Sequence, residues 1–284
     1  MVEKSGVLWL DRYDLVESFA GPFDREQADC HVQIRHLMGK VAIVLEIKDL
    51  TVDVAGQTVV ENVTLSVEDG SLHVLMGPNG SGKSSLLAAI MGLPPYTVTE
   101  GEIYFSGQPI GNLSILERAR MGIGMAFQRP PSLDGVTINR LAEALGADAK
   151  LARAADALDM TTLIGRDMNS GFSGGEIKRA ELLKLILQNP RLMLFDEPES
   201  GVDLEHVQAI GEAIRTAMEE AESTDEPRCG LVITHTGFIL NHVAADQGHI
   251  MRDGRLIASG DALHLFKHIQ SHGYTVPHQE IAHA

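Results

Sequence analysis

From residue 44 onward the chain alternates apolar and polar positions. In VLEIKDLTVDV (44–54) the apolar residues Leu45, Ile47, Leu50, Val52 and Val54 mostly alternate, and VVENVTLSV (59–67) continues with Val63, Leu65 and Val67 on one face. A period of two is that of a strand with one buried face, so this spacing predicts two antiparallel strands. SLHVLM (71–76) is instead a short unbroken apolar run, the pattern of a strand buried on both faces, and it feeds a glycine-rich loop. LLAAIMGL (86–93) predicts the helix after that loop, stopped by Gly92, Pro94 and Pro95. GEIYFSGQPI (101–110) predicts a strand with its turn, SILERARM (114–121) a helix opening on Ser114 and Glu117 in capping-box spacing, and GIGMAF (122–127) a strand. Residues 137–166 are helical in pattern throughout and hold no strand candidate. Then come a helix at EIKRAELLKLILQ (176–188), a buried strand at RLMLFDE (191–197) and a long helix at DLEHVQAIGEAIRTAMEEAE (203–222). A buried strand at CGLVITH (229–235) and a hairpin at HIMRDGRLIASG (249–260), turning at Asp253-Gly254, complete the order.

Strands that alternate with helices predict an α/β fold with a mostly parallel sheet core. An antiparallel β subdomain precedes it, and an all-helical insert sits in its middle. The expected division is an N-terminal extension at 1–43, a catalytic domain at 44–262 with a helical subdomain inserted at about 129–189, and a C-terminal helix and tail at 263–284. The extension holds Trp9, Tyr13, Phe19 and Phe23 without helical or strand period. It reads as an appendage, or as an upstream extension of the reading frame with Met38 as the natural start.

Charge narrows the partners. The 23 Lys and Arg against 39 Asp and Glu give −16, with no basic run, which argues against nucleic acid. The acidic bunch Glu219, Glu220, Glu222, Asp225 and Glu226 reads as a solvated helix end and loop. No apolar stretch approaches the roughly 18 residues of a membrane span, and no signal peptide is present, so a cytoplasmic protein with no direct membrane insertion is expected. Cys30 and Cys229 lack CxxC neighbours and read as reduced thiols.

Two stretches carry chemistry. GPNGSGKSS (Gly77, Pro78, Asn79, Gly80, Ser81, Gly82, Lys83, Ser84, Ser85) fits the P-loop pattern between a strand and a helix. Its glycines let main-chain N–H groups converge on phosphate, and the helix N-terminus adds positive potential. Lys83 is expected to reach the β- and γ-phosphates of ATP and Ser84 to ligate Mg²⁺. Asp196, ending a buried strand, would hold Mg²⁺ through water, and Glu197 beside it would orient or deprotonate the attacking water. A P-loop NTPase is the expected fold. A third stretch, GFSGGEIKR (171–179), places Ser173, Gly174 and Gly175 in front of a helix read as starting at Glu176. Glycines there cost backbone entropy, which is expected where a phosphate or another backbone comes very close.

GPNGSGKSS, FSGGE, LMLFDEP, Gln128 after one strand and His235 after another together resemble the nucleotide-binding subunit of an ABC ATPase, over about residues 45–262. The resemblance implies a transient, ATP-dependent head-to-tail dimer, in which Ser173, Gly174 and Gly175 of one subunit close over the nucleotide in the P-loop of the other. It implies that Gln128 contacts Mg²⁺ or the attacking water, that His235 contacts the γ-phosphate and helps hold Glu197, and that SGVD, ending at Asp203, crosses the dimer. One departure is that Val54-Ala55-Gly56 holds no ring where many members stack adenine on an aromatic residue.

GIGMAFQRPPSLDGV, GFSGGEIKRAELL, DEPESGVD and the closing THTGFILNHVAADQGHIMRDGRLIASGD…HGY are most similar to the soluble ATPase of SUF iron–sulfur cluster assembly, in an archaeal-type variant. That implies scaffold partners of the SufB/SufD kind, reshaped by ATP-driven dimerisation. DEPESGVD departs from the bacterial form, so partner contacts can differ. The alternative is the ATP-binding subunit of a membrane importer with a separate permease, whose catalytic motifs would be the same. RPPSLDGV (129–136) is the expected docking surface, because its prolines pre-order the backbone beside Leu133 and Val136. His264, His268 and His272 share one helix face, more simply as solvated histidines than as Zn²⁺ or Ni²⁺ ligands.

Overall fold

The structure is a computed structural model that describes residues 42–219 and 227–276. Trp9, Cys30 and the rest of the extension up to 41, the acidic residues 220–226 and the tail from 277 lie outside the described residues.

Two sheets organise the chain. The first is antiparallel, in the order β2-β1-β4-β5, from β1 (Ile43–Val54), β2 (Gln57–Glu68), β4 (Tyr96–Phe105) and β5 (Gln108–Pro109). The second has six strands in the order β12-β11-β3-β10-β9-β6, from β3 (Leu72–Met76), β6 (Ile123–Ala126), β9 (Leu192–Asp196), β10 (Cys229–Thr234), β11 (Gln247–Arg252) and β12 (Arg255–Gly260). Its five neighbours from β11 to β6 run parallel, and β12 closes one edge antiparallel. The imperfect alternation in β1 and β2 has a physical cause. Register slips between Ile47 and Leu50, where Asp49 takes φ 47°, and Asn62 takes φ 49° on the paired strand. These bulges let Leu45, Ile47, Leu50 and Val52 all face the core despite the odd spacing.

The unbroken apolar runs serve two cores. Leu75, Leu192, Leu194, Leu231 and Ile233 face the antiparallel sheet and α1 (Lys83–Met91). Val74, Met76, Met193, Phe195 and Val232 face the other way, against α5 (Gly174–Gln188), α6 (Leu204–Glu219) and α7 (Ala262–His272). Both faces are dry, as the sequence pattern requires of a parallel sheet.

The insert differs in detail from its sequence reading. α3 (Ile138–Leu145) and α4 (Asp148–Ala157) are helices, but residues 158–166 form turns. A two-stranded ladder, β7 (Leu133–Thr137) with β8 (Asp167–Met168), closes the insert at its base. RPPSLDGV therefore ends in a short strand rather than a free loop. Leu133 and Val136 on it remain exposed.

Candidate functional site

The register of the parallel sheet assembles the site. Thr234 of β10 pairs with Met76 of β3, and Ile233 pairs with Asp196 of β9, while Ala126 of β6 pairs with Phe195. The residues just beyond these carboxyl ends are the glycine loop, His235, Glu197 and Gln128. An open α/β sheet binds ligands at this edge.

Between β3 and α1 the chain makes the anion cradle. Gly82 caps α1 at φ 100°, a conformation open to glycine, and a Cβ there would meet the Val59 carbonyl and Met251. Lys83 is buried and its Nζ donates to the Gly77 and Pro78 carbonyls at 2.8 and 2.9 Å. Burial pushes the ammonium below its ordinary range, while the carboxylates of Glu197 and Asp196 pull it back up. At the other end of α1 the Arg118 guanidinium from α2 (Ile115–Arg120) donates to Ala89, Ile90, Leu113 and Gly111 carbonyls. A cation at a helix C-terminus reinforces a macrodipole whose positive end faces the cradle.

Glu197 is the centre of the polar network. It sits at φ 49°, a costly backbone state for a residue with a Cβ, about 1–3 kcal/mol. Its carbonyl accepts from Lys178 Nζ of α5 at 2.9 Å, and its N–H donates to the Ile233 carbonyl at 3.1 Å. Each carboxylate oxygen has one partner: Gln128 Nε2 donates to Oε2 at 2.6 Å, and His235 Nδ1 lies 3.0 Å from Oε1. Ser84 Oγ donates to Asp196 Oδ1 at 2.9 Å. Burial raises the Asp196 carboxyl above its usual range, against the lowering effect of that hydrogen bond. A hydroxyl, a carboxylate and an amide side by side form a hard oxygen donor set that fits Mg²⁺.

These residues border one cleft of about 750 Å³, lined by Asn79 to Ser85, Gln128, Arg129, Glu197, Ser200 and His235, with Thr58, Val59, Glu61, Asp253 and Gly254 at its far end. The volume suits a nucleotide-sized ligand. Among the described residues no Phe, Tyr or Trp lines it, in keeping with the ring-free turn at 54–56.

Ser173, Gly174 and Gly175 do not line this cleft. They form the start of α5, which begins at Gly174 and not at Glu176, so the two glycines lie inside the first helical turn. Ser173 is the N-cap in a capping box: its Oγ accepts from Glu176 N–H at 3.3 Å, and Glu176 Oε2 accepts from Ser173 N–H at 2.6 Å. Gly174 faces the loop at Gly201, and Asp203 stands at the entrance to α6 with its carbonyl taking the His206 and Val207 N–H groups. Asp203 is likewise absent from the cleft lining.

Several polar residues around the site carry no spacing signal in the sequence. Glu181 of α5, 2% exposed, accepts from the N–H of Phe127 at 3.0 Å, next to Gln128. Glu199 accepts from the Thr234 and Thr236 hydroxyls, and burial pushes its carboxyl up. The histidines that the sequence does place on one helix face meet in part: His268 and His272 stack with ring centroids 4.8 Å apart, and His268 Nε2 lies 3.1 Å from Thr275 Oγ1.

This constellation is that of a P-loop ATPase built on a cassette with two sheets and a helical insert. The ABC transporter family model matches residues 60–200. A probable ABC transporter ATP-binding protein of Streptococcus pyogenes serotype M18 is 36% identical over 246 residues, covering 81% of this chain and 93% of that protein. A probable ATP-dependent transporter, ycf16, of Pyropia yezoensis is 35% identical over 248 residues, covering 81% and 96%. An ATP-binding cassette of an ABC transporter, solved in its ADP conformation, superposes with a TM-score of 0.65 and 25% identity, covering 81% and 95%. The chain belongs to the ABC transporter ATP-binding family. It is a nucleotide-binding ATP hydrolase, and no helix among its described residues is long and apolar enough to cross a membrane.

Proposed function

We propose that the chain is a SufC-like ATPase whose Mg-ATP-driven, head-to-tail dimerisation reshapes SUF iron–sulfur scaffold proteins. The observation that carries the catalytic half of this reading is the Glu197 carboxylate, hydrogen-bonded at one oxygen by Gln128 and approached at the other by His235 Nδ1 at 3.0 Å. A carboxylate so fixed is pre-positioned to take a proton from water attacking the γ-phosphorus. Lys83, now on two loop carbonyls, exchanges them for phosphate oxygens. Ser84, Asp196 and Gln128 would hold Mg²⁺, which supplies charge neutralisation of the phosphates. Gln128 leads directly into the insert, so displacement of its amide from Glu197 links the catalytic carboxylate to whatever docks on β7.

The position of Ser173, Gly174 and Gly175 outside the cleft supports a shared site. In one subunit the serine and glycines serve no bound nucleotide; across a dimer the positive end of α5 can close a second subunit's cleft. The SUF assignment rests on the strings FSGGEIKRAELL, DEPESGVD and HGY, and the cleft without an aromatic ring agrees with it. In Glu197→Gln the isosteric amide should keep ATP binding while turnover falls by about 10²–10⁴, and the trapped protein should run as a dimer in Mg-ATP. Wild-type turnover in this variant, or a nucleotide-saturated monomer by mass measurement, would sink the mechanism. Co-purification with an integral membrane protein in place of a soluble scaffold would sink the SUF assignment.

A further inference from the structure

The side chain of His235 lies against Glu197, Nδ1 3.0 Å from Oε1, and its backbone has a second partner from the far end of the chain. α7 ends at His272 with Gly273 as its C-cap, and the following residue, Tyr274, turns back toward the loop after β10. Its hydroxyl donates to the His235 carbonyl at 2.7 Å. Its own carbonyl accepts from Arg252 Nη1 of β11 at 3.3 Å, which ties the Tyr274 backbone to the sheet. Burial first, and then the charge of Glu197, push the Tyr274 hydroxyl above its ordinary range, so it stays a protonated donor through neutral pH.

The same segment grips the loop a second time. Gly237, two residues after His235, lies so close to the ring of Phe266 on α7 that a Cβ built on it would overlap the ring. Phe266 is buried, and Gly237 N–H and Thr236 N–H both close onto Thr234 Oγ1, at 2.8 and 3.1 Å. The 235–237 loop is therefore fixed at both ends by the C-terminal segment, by a hydroxyl at His235 and by an aromatic face at Gly237.

We propose that Tyr274 is a positioning residue for His235, so that the segment after α7 sets the orientation of the imidazole beside Glu197. The proposal rests on the reading of His235 as part of the hydrolytic site. Strand β10 alone does not fix the 235–236 peptide plane, because its ladder pairing stops at Thr234. The Thr236 N–H, on Thr234 Oγ1 at 3.1 Å, holds one edge of that plane, and the hydroxyl of Tyr274 holds the carbonyl edge. Without the hydroxyl the plane keeps only its N–H anchor, and the Nδ1 to Oε1 approach of 3.0 Å is held less firmly. A misplacement of this kind lowers turnover without touching the groups that bind phosphate.

The test is Tyr274→Phe in the full chain, which removes one oxygen and keeps the ring. Turnover of Mg-ATP should fall about tenfold with KM for ATP unchanged. In ¹⁵N-histidine-labelled protein the imidazole signal of His235, identified by its loss in His235→Ala, should move, while the signals of the buried His73 and His249 stay in place. Wild-type turnover in Tyr274→Phe, or lowered turnover with an unmoved His235 signal, overturns the role of Tyr274. A parallel rise in KM and shift of all histidine signals would also overturn it, since that is a general loosening of the fold. Wild-type turnover in His235→Ala overturns the underlying reading of His235 instead, and the two failures are told apart by which variant keeps its rate.

Discussion

Arg118 offers a sharp test of how the cradle helix is held. Its side chain is 3% exposed, has no carboxylate partner among the described residues, and donates to carbonyls at 2.7–3.0 Å. Burial pulls the guanidinium below its ordinary range, the direction expected of a charge kept away from water. Arg118→Ala removes all four bonds together. Ala89 O still takes the N–H of Gly92 at 3.1 Å, and the Leu113 and Gly111 carbonyls are only partly buried, so Ile90 O is the acceptor most fully stranded. One stranded acceptor costs about 1–3 kcal/mol and bonds to a charged donor are worth about 1.5–3 each, while relief of the buried charge offsets part. A net loss of about 2–4 kcal/mol follows, seen as a lower urea midpoint at unchanged slope, or a Tm lower by roughly 5–15 °C. Arg118→Lys keeps the charge but reaches fewer carbonyls, so it should fall between. A loss below about 1 kcal/mol in Arg118→Ala would refute the argument, because the four carbonyls would then have found water at no cost.

Lys83→Ala should abolish ATP binding outright, unlike Glu197→Gln; retained affinity by calorimetry would contradict its placement at the phosphates. Acidic substitutions at both Leu133 and Val136, 40% and 36% exposed, should abolish scaffold binding and leave ATP binding by the free subunit intact; unchanged scaffold affinity moves the interface off β7. Stability should also fall as pH drops below about 6.5, because burial holds His249 down at about 3 in the fold and the unfolded chain takes up its proton first. The lowered carboxyl of Glu68 acts in the same direction below 4.5, and His249→Gln should flatten the profile by up to about 1.4 kcal/mol per pH unit. That histidine sits within a polar series: His249 Nδ1 and Ser259 Oγ are 2.8 Å apart, His249 Nε2 and His73 Nδ1 3.1 Å, and His73 Nε2 lies 2.9 Å from Glu68. Urea melts of the two proteins from pH 7 to 4 decide it.

Much of this was legible because the signals are local. The P-loop, the Asp196-Glu197 pair and the hairpin at Asp253-Gly254 are each fixed by residues within a few positions of one another, and the sheet then only has to align strand ends. The capping box is legible at Ser114 and Glu117, and the same spacing recurs at Ser173 and Glu176, where the sequence pattern nevertheless starts the helix at Glu176, after Gly174 and Gly175. Glycines at 174 and 175 hid it, since their low helix propensity outweighs the cap on a local reading. The ladder of β7 with β8 left no periodic trace, because it consists of two pairings between segments some thirty residues apart. Arg118, Lys178, Glu181 and Tyr274 were silent for another reason: each is a single polar residue whose partner is a distant backbone group, and a backbone group has no letter in the sequence.

The separation of Ser173, Gly174 and Gly175 from the cleft has a kinetic corollary. If each nucleotide must be enclosed by two chains, the hydrolytic rate of free subunits is second order in protein, and activity per molecule rises on concentrating the sample. A scaffold that carries two copies changes the law: encounter becomes intramolecular, at effective concentrations that reach the millimolar range for short tethers. Activity per molecule then becomes independent of dilution. The partner would thus act as an activator through tethering alone, before any contact it makes with Gln128 or the insert alters the chemistry.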